Sequence, residues 1–209
     1  GGNVANNSGG PHCLADGVTD SHVLAIEVVL PDGEVCQFGG IDAEPTGLDL
    51  RGAFIGSEGT LGIATKIAVR LTPNPQDVQT ILISFPTMRK AAETVSAVIA
   101  AGIVPAAMEA MDQRTIEVIE NHIPSGYPTD VGAVLLIEVE GLPDGVEIET
   151  LRICEVAENH EALEIRIAQS SWQREALWKG RKGAFGASTY LAPNYYLHDT
   201  VVPRSELAN

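Results

Sequence analysis

Short apolar runs separated by turn residues fill the first third of the chain, and through the rest such runs alternate with stretches of helical period. Val23 to Leu30 is an apolar strand interrupted only by Glu27. Pro31-Asp32-Gly33-Glu34 is a turn sequence leading into Val35 to Phe38, so this segment predicts a β-hairpin. Ala64 to Leu71 places apolar and charged residues in near alternation, the pattern of a half-buried strand. Pro73 and Pro75 break that pattern, and a domain boundary is expected at residue 75.

The remainder predicts strands and helices in turn. Gln79 to Phe85 reads as a strand, and Thr87 as the cap of a helix that runs through Ala101 and ends at Gly102. Pro105 to Met111 is extended, and Asp112 caps a second helix reaching His122. Val131 to Val139 is a strongly apolar strand, followed by an acidic helix over Asp144 to Glu158 and a strand over Leu163 to Ala168. Ser170 or Ser171 caps a helix to Lys182, and Tyr195 to Val202 is expected as the last strand. Strands separated by helices at this spacing suggest ferredoxin-like β-α-β units on one sheet, in an α+β chain.

Composition narrows the class of protein. With 44% apolar and 20% charged residues among 209, the chain can bury a core of one large domain or two small ones. A formal charge of −15 argues against nucleic acid, because neutralising phosphates takes clustered Lys and Arg. It argues equally against an anionic membrane surface. No apolar run reaches the ~18 residues of a membrane span, and the polar, glycine-rich start is unlike a signal peptide. Three cysteines, Cys13, Cys36 and Cys154, fall at irregular spacing, which predicts reduced thiols in a cytoplasmic protein. A redox role for Cys13 beside the glycines is weighed against a small buried hydrophobe, and the second reading is preferred. The five histidines show no ligand spacing, so no metal site is expected.

Two glycine-rich segments remain, Gly1-Gly2-Asn3-Val4-Ala5-Asn6-Asn7-Ser8-Gly9-Gly10 and Gly56-Ser57-Glu58-Gly59-Thr60-Leu61-Gly62-Ile63. Glycines permit close approach of bare backbone to a large polar ligand, and successive N–H groups at such turns form anion-binding nests. No lysine follows either segment as in a phosphate loop, and neither is G-x-G-x-x-G between a strand and a helix. By itself the first segment reads more readily as an ordinary loop than as a ligand site.

The pair resembles the later half of the flavin-binding domain of FAD-linked oxidases of the vanillyl-alcohol oxidase or p-cresol methylhydroxylase type. Two further motifs, Trp178-Lys179-Gly180-Arg181-Lys182-Gly183-Ala184-Phe185 and Asn194-Tyr195-Tyr196-Leu197-His198-Asp199-Thr200-Val201-Val202-Pro203-Arg204, are similar to the branch of glycolate oxidase flavin subunits and D-lactate dehydrogenases. The resemblance runs from Gly1 to Leu207. It implies the C-terminal part of a PCMH-type FAD-binding domain over 1–75, followed by a ferredoxin-like α/β substrate (cap) domain over 76–209 that is incomplete. Family chains carry a pyrophosphate loop ahead of these segments and a histidine-rich metal motif behind them. This sequence is therefore expected to be a middle portion of a longer chain, one that does not hold FAD tightly by itself. The resemblance assigns FAD contacts to Gly2, Asn3, Ala5, Asn6, Asn7, Ser8, Glu58, Gly59, Thr60, Leu61, Gly62, Ile63 and Ala64.

Candidate chemistry lies in the second part. Nine acidic residues and one basic one, Arg152, fall between Glu138 and Glu164, which reads most simply as a solvated helix face with its flanks. Against that background Arg174, Lys179, Arg181 and Lys182 stand out. Arg174, Arg181 and Lys182 lie near one helical face, able to attract a small carboxylate or merely to complement a helix C-terminus. The resemblance moves Arg181, within Trp-x-x-Arg, towards the substrate carboxylate. On a strand Tyr196 and His198 would share a face opposite Tyr195, where a phenol and an imidazole could bond an alcohol oxygen or accept its proton. The other reading is a tyrosine packed in the core. The resemblance implies FAD-dependent oxidation of a small 2-hydroxy acid, of glycolate or D-lactate type, with electrons passing to a separate acceptor. It also implies flavin-related and iron–sulfur partner subunits and a cytoplasmic setting, peripheral to the inner membrane where partners attach it. The competing reading is a catalytically silent flavoprotein-like subunit that supports assembly.

Overall fold

A computed structural model describes residues 1–42, 47–192 and 194–208, and the chain divides into two units, Gly1–Asn74 and Pro75–Asn209. In the first unit, two short helices, α1 (Gly2–Asn6) and α2 (Cys13–Asp16), precede strands β1 (Val23–Val29) and β2 (Val35–Gly39). Helix α3 (Leu50–Phe54) and strand β3 (Ile63–Val69) follow. The three strands form an antiparallel sheet in the order β2-β1-β3. The hairpin closes as its sequence predicts: Leu30 N donates to Glu34 O, and Asp32 Oδ1 accepts from Glu34 N. Val23, Ile26 and Val28 of β1 bury themselves with Val4, Phe54 and Ile55. Asp49 caps α3 by accepting from Gly52 N, and that bond holds its carboxyl below the ordinary range.

The three short helices of this unit are not predicted. Each has only four or five residues, too few for a helical period to show. Cys13 corrects a second expectation, since it is exposed on α2 and not buried. All three cysteines are free thiols, and burial raises the pKa of both Cys36 and Cys154.

The second unit contains β4 (Asp77–Phe85), α4 (Met88–Ala100), β5 (Ala107–Asp112) and α5 (Gln113–His122), then β6 (Ala133–Gly141), α6 (Pro143–Glu158), β7 (Glu164–Ile167) and α7 (Ser171–Ser188). Its sheet runs β5-β6-β4-β7 with every neighbouring pair antiparallel. Helix α4 joins β4 to β5 across β6, and α6 joins β6 to β7 across β4, which is the ferredoxin-like pairing of crossovers. Successive side chains of a strand point to opposite faces. Ile81, Ile83, Phe85, Leu135 and Ile137 therefore meet Val98 of α4 and Val146 and Ile153 of α6. Leu82, Val134 and Leu136 meet Ile116 and Ile119 of α5 and Leu177 and Trp178 of α7 on the other face. Helices on both faces explain why β6 reads as a nearly unbroken apolar run.

Thr87, Asp112 and Ser170 each cap the following helix, accepting from Lys90 N, Thr115 N and Gln173 N. Ser170→Ala should lower the stability of this unit by about 1 kcal/mol in denaturant unfolding. Helix α7 continues to Ser188, past the expected end at Lys182, because buried Ala187 extends its apolar stripe. Inside it, a Cβ on Gly180 would come within 2.5 Å of Ser125 Oγ and 2.6 Å of Tyr127 Cε2, so α7 lies directly against that loop. The Tyr127 hydroxyl donates to the Leu177 carbonyl there, and burial raises its pKa.

The expected strand over Tyr195–Val202 is absent. Its described residues have no regular structure until a 3-10 turn at Arg204–Glu206. Strand formation needs a partner edge, and this segment pairs with none among the described residues.

Candidate functional site

In the first unit the two glycine segments are joined by hydrogen bonds. Gly56 N donates to Val4 O at 2.9 Å, and Glu58 N donates to Ala5 O at 2.9 Å. The chain turns through left-handed backbone at Asn7 (φ 47), Glu58 (φ 52) and Gly59 (φ 79). Gly62 has φ 152, and a Cβ there would come within 2.7 Å of the Val29 carbonyl and 2.8 Å of Val28 Cγ1. The result is a hollow of about 180 Å³ lined by Gly1, Ala5, Phe54, Ser57, Gly59, Gly62, Ile63 and Ala64.

The structure thus brings Ala5, Gly59, Gly62, Ile63 and Ala64 together around one space. Several other residues expected at a cofactor support the loops themselves. Asn7 Oδ1 accepts from Asp20 N, Ser8 Oγ donates to Asn3 O, and Thr60 Oγ1 donates to Ser57 O. Gly2, Asn6, Glu58 and Leu61 do not line the hollow. Ser57 does, and sequence reasoning passed over it. Its buried hydroxyl has no hydrogen-bond partner among the described residues. Leaving such a group unpaired costs about 1–3 kcal/mol. Bare backbone, an aromatic wall at Phe54 and an orphaned hydroxyl suit a flat ligand carrying polar edges.

In the second unit the chemistry gathers on the sheet face covered by α7. Arg181 Nε and Nη2 donate to Glu109 Oε2 of β5 at 3.0 and 2.7 Å, and both side chains are largely buried. One turn earlier, Trp178 Nε1 donates to Glu138 Oε2 of β6 at 2.6 Å. Thr80 Oγ1 of β4 donates to the same oxygen at 2.7 Å. Glu138 is only 4% exposed, which corrects its place in a solvated acidic face. The signal was present, since Glu138 interrupts an apolar run that is buried on both faces. Of the other cations, Lys179 and Lys182 are exposed, while Arg174 lines a hollow with residues 76–80 and 168–171.

Tyr196 is 81% exposed and His198 is exposed, which removes the core-tyrosine reading. Their rings lie 4.8 Å apart at 57°, so the two side chains are neighbours without a strand to align them.

Comparison with known proteins agrees with this architecture. Residues 74–209 match the family "FAD linked oxidases, C-terminal domain", and residues 1–39 match "FAD binding domain". The chain belongs to the FAD-linked oxidase family. It is 40% identical over 207 residues to glycolate oxidase subunit GlcD of Escherichia coli (strain K12), covering 99% of this chain and 42% of that protein. It is 30% identical over 211 residues to the mitochondrial D-lactate dehydrogenase [cytochrome] of Arabidopsis thaliana, covering 100% of this chain and 37% of that protein. The chain thus spans less than half the length of these curated relatives. Among solved structures, alkyldihydroxyacetonephosphate synthase aligns with a TM-score of 0.69 at 19% identity, over 88% of this chain and 38% of that one, a likeness of fold. No helix among the described residues is long and apolar enough to cross a membrane.

Proposed function

We propose that the full protein oxidises a small 2-hydroxy acid, of the glycolate or D-lactate type, to the 2-oxo acid. The observation that carries this reading is Arg181, a largely buried guanidinium fixed along its Nε–Nη2 edge by Glu109, with Nη1 making no hydrogen bond among the described residues. Planar Arg donors suit a carboxylate, and holding the group in place beforehand reduces the entropy lost on binding. Bound FAD would supply the acceptor for a hydride from the substrate α-carbon and the route for its electrons to a separate acceptor. Ala5, Ser57, Gly59 and Gly62 are the residues that would hold it, with Ser57 offering its unpaired hydroxyl. In this reading Arg181 binds the carboxylate, Tyr196 hydrogen-bonds the alcohol oxygen through its phenol, and His198 takes the hydroxyl proton on an imidazole nitrogen. That the E. coli relative is a subunit supports assembly with partners, for which we propose flavin-related and iron–sulfur chains in the cytoplasm.

Product analysis of the full-length protein with an artificial electron acceptor tests the reading. Turnover of glycolate or D-lactate to the 2-oxo acid is expected, whereas turnover of aryl alcohols alone would refute it. The silent-subunit reading gains some support from α6, whose outer face exposes Ile148 and Leu151 among acidic residues. It predicts that partners co-elute in light scattering and that the purified chain never turns over.

A further inference from the structure

Glu138 has no part in the chemistry above, yet it is a carboxylate buried beneath the helix that carries Arg181. Burying a carboxylate is costly unless hydrogen bonds replace its water, and two short donors, from Thr80 and Trp178, do so here. Trp178 and Arg181 are three residues apart and so occupy one side of α7. Each is bound to a carboxylate on an adjacent strand, Trp178 to Glu138 on β6 and Arg181 to Glu109 on β5. The register pairs Ala107 with Glu138 and Glu109 with Leu136, so the two carboxylates are diagonal neighbours on one face of the sheet.

We infer that Glu138 is a positioning residue for the anion site: through Trp178 it fixes the rotation of α7 and so the direction in which Arg181 presents its guanidinium. Apolar packing leaves a helix some freedom to rotate about its axis, and two directional polar ties a turn apart narrow that freedom more than one does. With the Trp178 tie intact, the Arg181–Glu109 pair orients the guanidinium. Without it, the apolar packing of Leu177 and Ala187 and the Tyr127–Leu177 bond still hold α7 on the sheet, but the Arg181–Glu109 pair is left to set its rotation near Arg181. This inference rests on the reading of Arg181 as the carboxylate anchor.

The test uses the full-length flavoprotein, with KM, kcat, flavin content and Tm measured for each variant. Trp178→Phe keeps an aromatic ring at this position and removes the N–H. It should raise KM for glycolate or D-lactate about tenfold, the loss of one charge-assisted hydrogen bond, with kcat and flavin content changed by less than about twofold. Glu138→Gln keeps an acceptor for the Trp178 N–H and should avoid most of that loss, whereas Glu138→Leu should show it in full. In an Arg181→Ala background, Trp178→Phe should change KM no further, because the group it positions is gone. If Trp178→Phe fails to fold, Thr80→Val removes a second donor to Glu138 and should raise KM about threefold on the same reasoning. An unmoved KM in these variants, with Tm alone falling, overturns the inference and leaves Glu138 as fold support. An unmoved KM in Arg181→Ala instead overturns the functional reading on which it rests.

Discussion

Arg181→Ala in the full-length protein is expected to lower kcat/KM for a 2-hydroxy acid by about 2–4 kcal/mol, as for loss of a charged anchor. Flavin content should stay at the level of the parent. The physical basis is the arrangement on α7: the guanidinium is largely buried, is already oriented by Glu109, and would meet a carboxylate with little further loss of freedom. Arg181→Lys should fall between the two, since an ammonium keeps the charge but not the planar fork. Steady-state kinetics beside a flavin absorbance spectrum checks both statements. An unchanged KM with lost flavin would assign this helix to the cofactor or to the fold.

The second large effect is expected at Gly62. Its φ of 152 is a conformation that L side chains rarely adopt, and a Cβ there would press on the Val29 carbonyl and on Val28 at 2.7 and 2.8 Å. Val28 is buried in β1, with no room to yield. Gly62→Ala should cost roughly 2–4 kcal/mol, combining backbone strain with overpacking. Because Gly62 also lines the hollow, the purified variant should carry little flavin. Thermal unfolding and the ratio of flavin to protein absorbance measure the two effects separately. Gly59→Ala meets no atom within 4 Å of its Cβ and carries only the cost of its positive φ, so its stability loss should be smaller.

Much of the second unit was legible because its signals are local. Thr87, Asp112 and Ser170 each supply a side-chain acceptor at a helix start, and all three make the expected bond. The run Val134–Ile137 could be read as a buried strand for the same reason that it is one, since both of its faces are covered. What escaped depends on contacts distant in sequence. Tyr195–Val202 has the composition of a strand, but its neighbours in space decide its conformation. Helix α1 is held by bonds to Gly56 and Glu58, fifty residues further along, which no local period records. At the candidate site, Arg181 was visible as a basic residue in an acidic chain, whereas its partner Glu109 was not. Pairing across 72 residues leaves no trace in spacing. Glu138 reads as a surface acid by charge alone, whereas its place inside an apolar strand marks it as buried.

The most direct test of the account is an anaerobic titration of the purified full-length protein, followed by its visible spectrum. The account predicts a yellow protein whose flavin absorbance is bleached by glycolate or D-lactate, and far less readily in the Arg181→Ala variant. A colourless protein that cannot be reconstituted with FAD, or a flavin that 2-hydroxy acids leave oxidised, would contradict it.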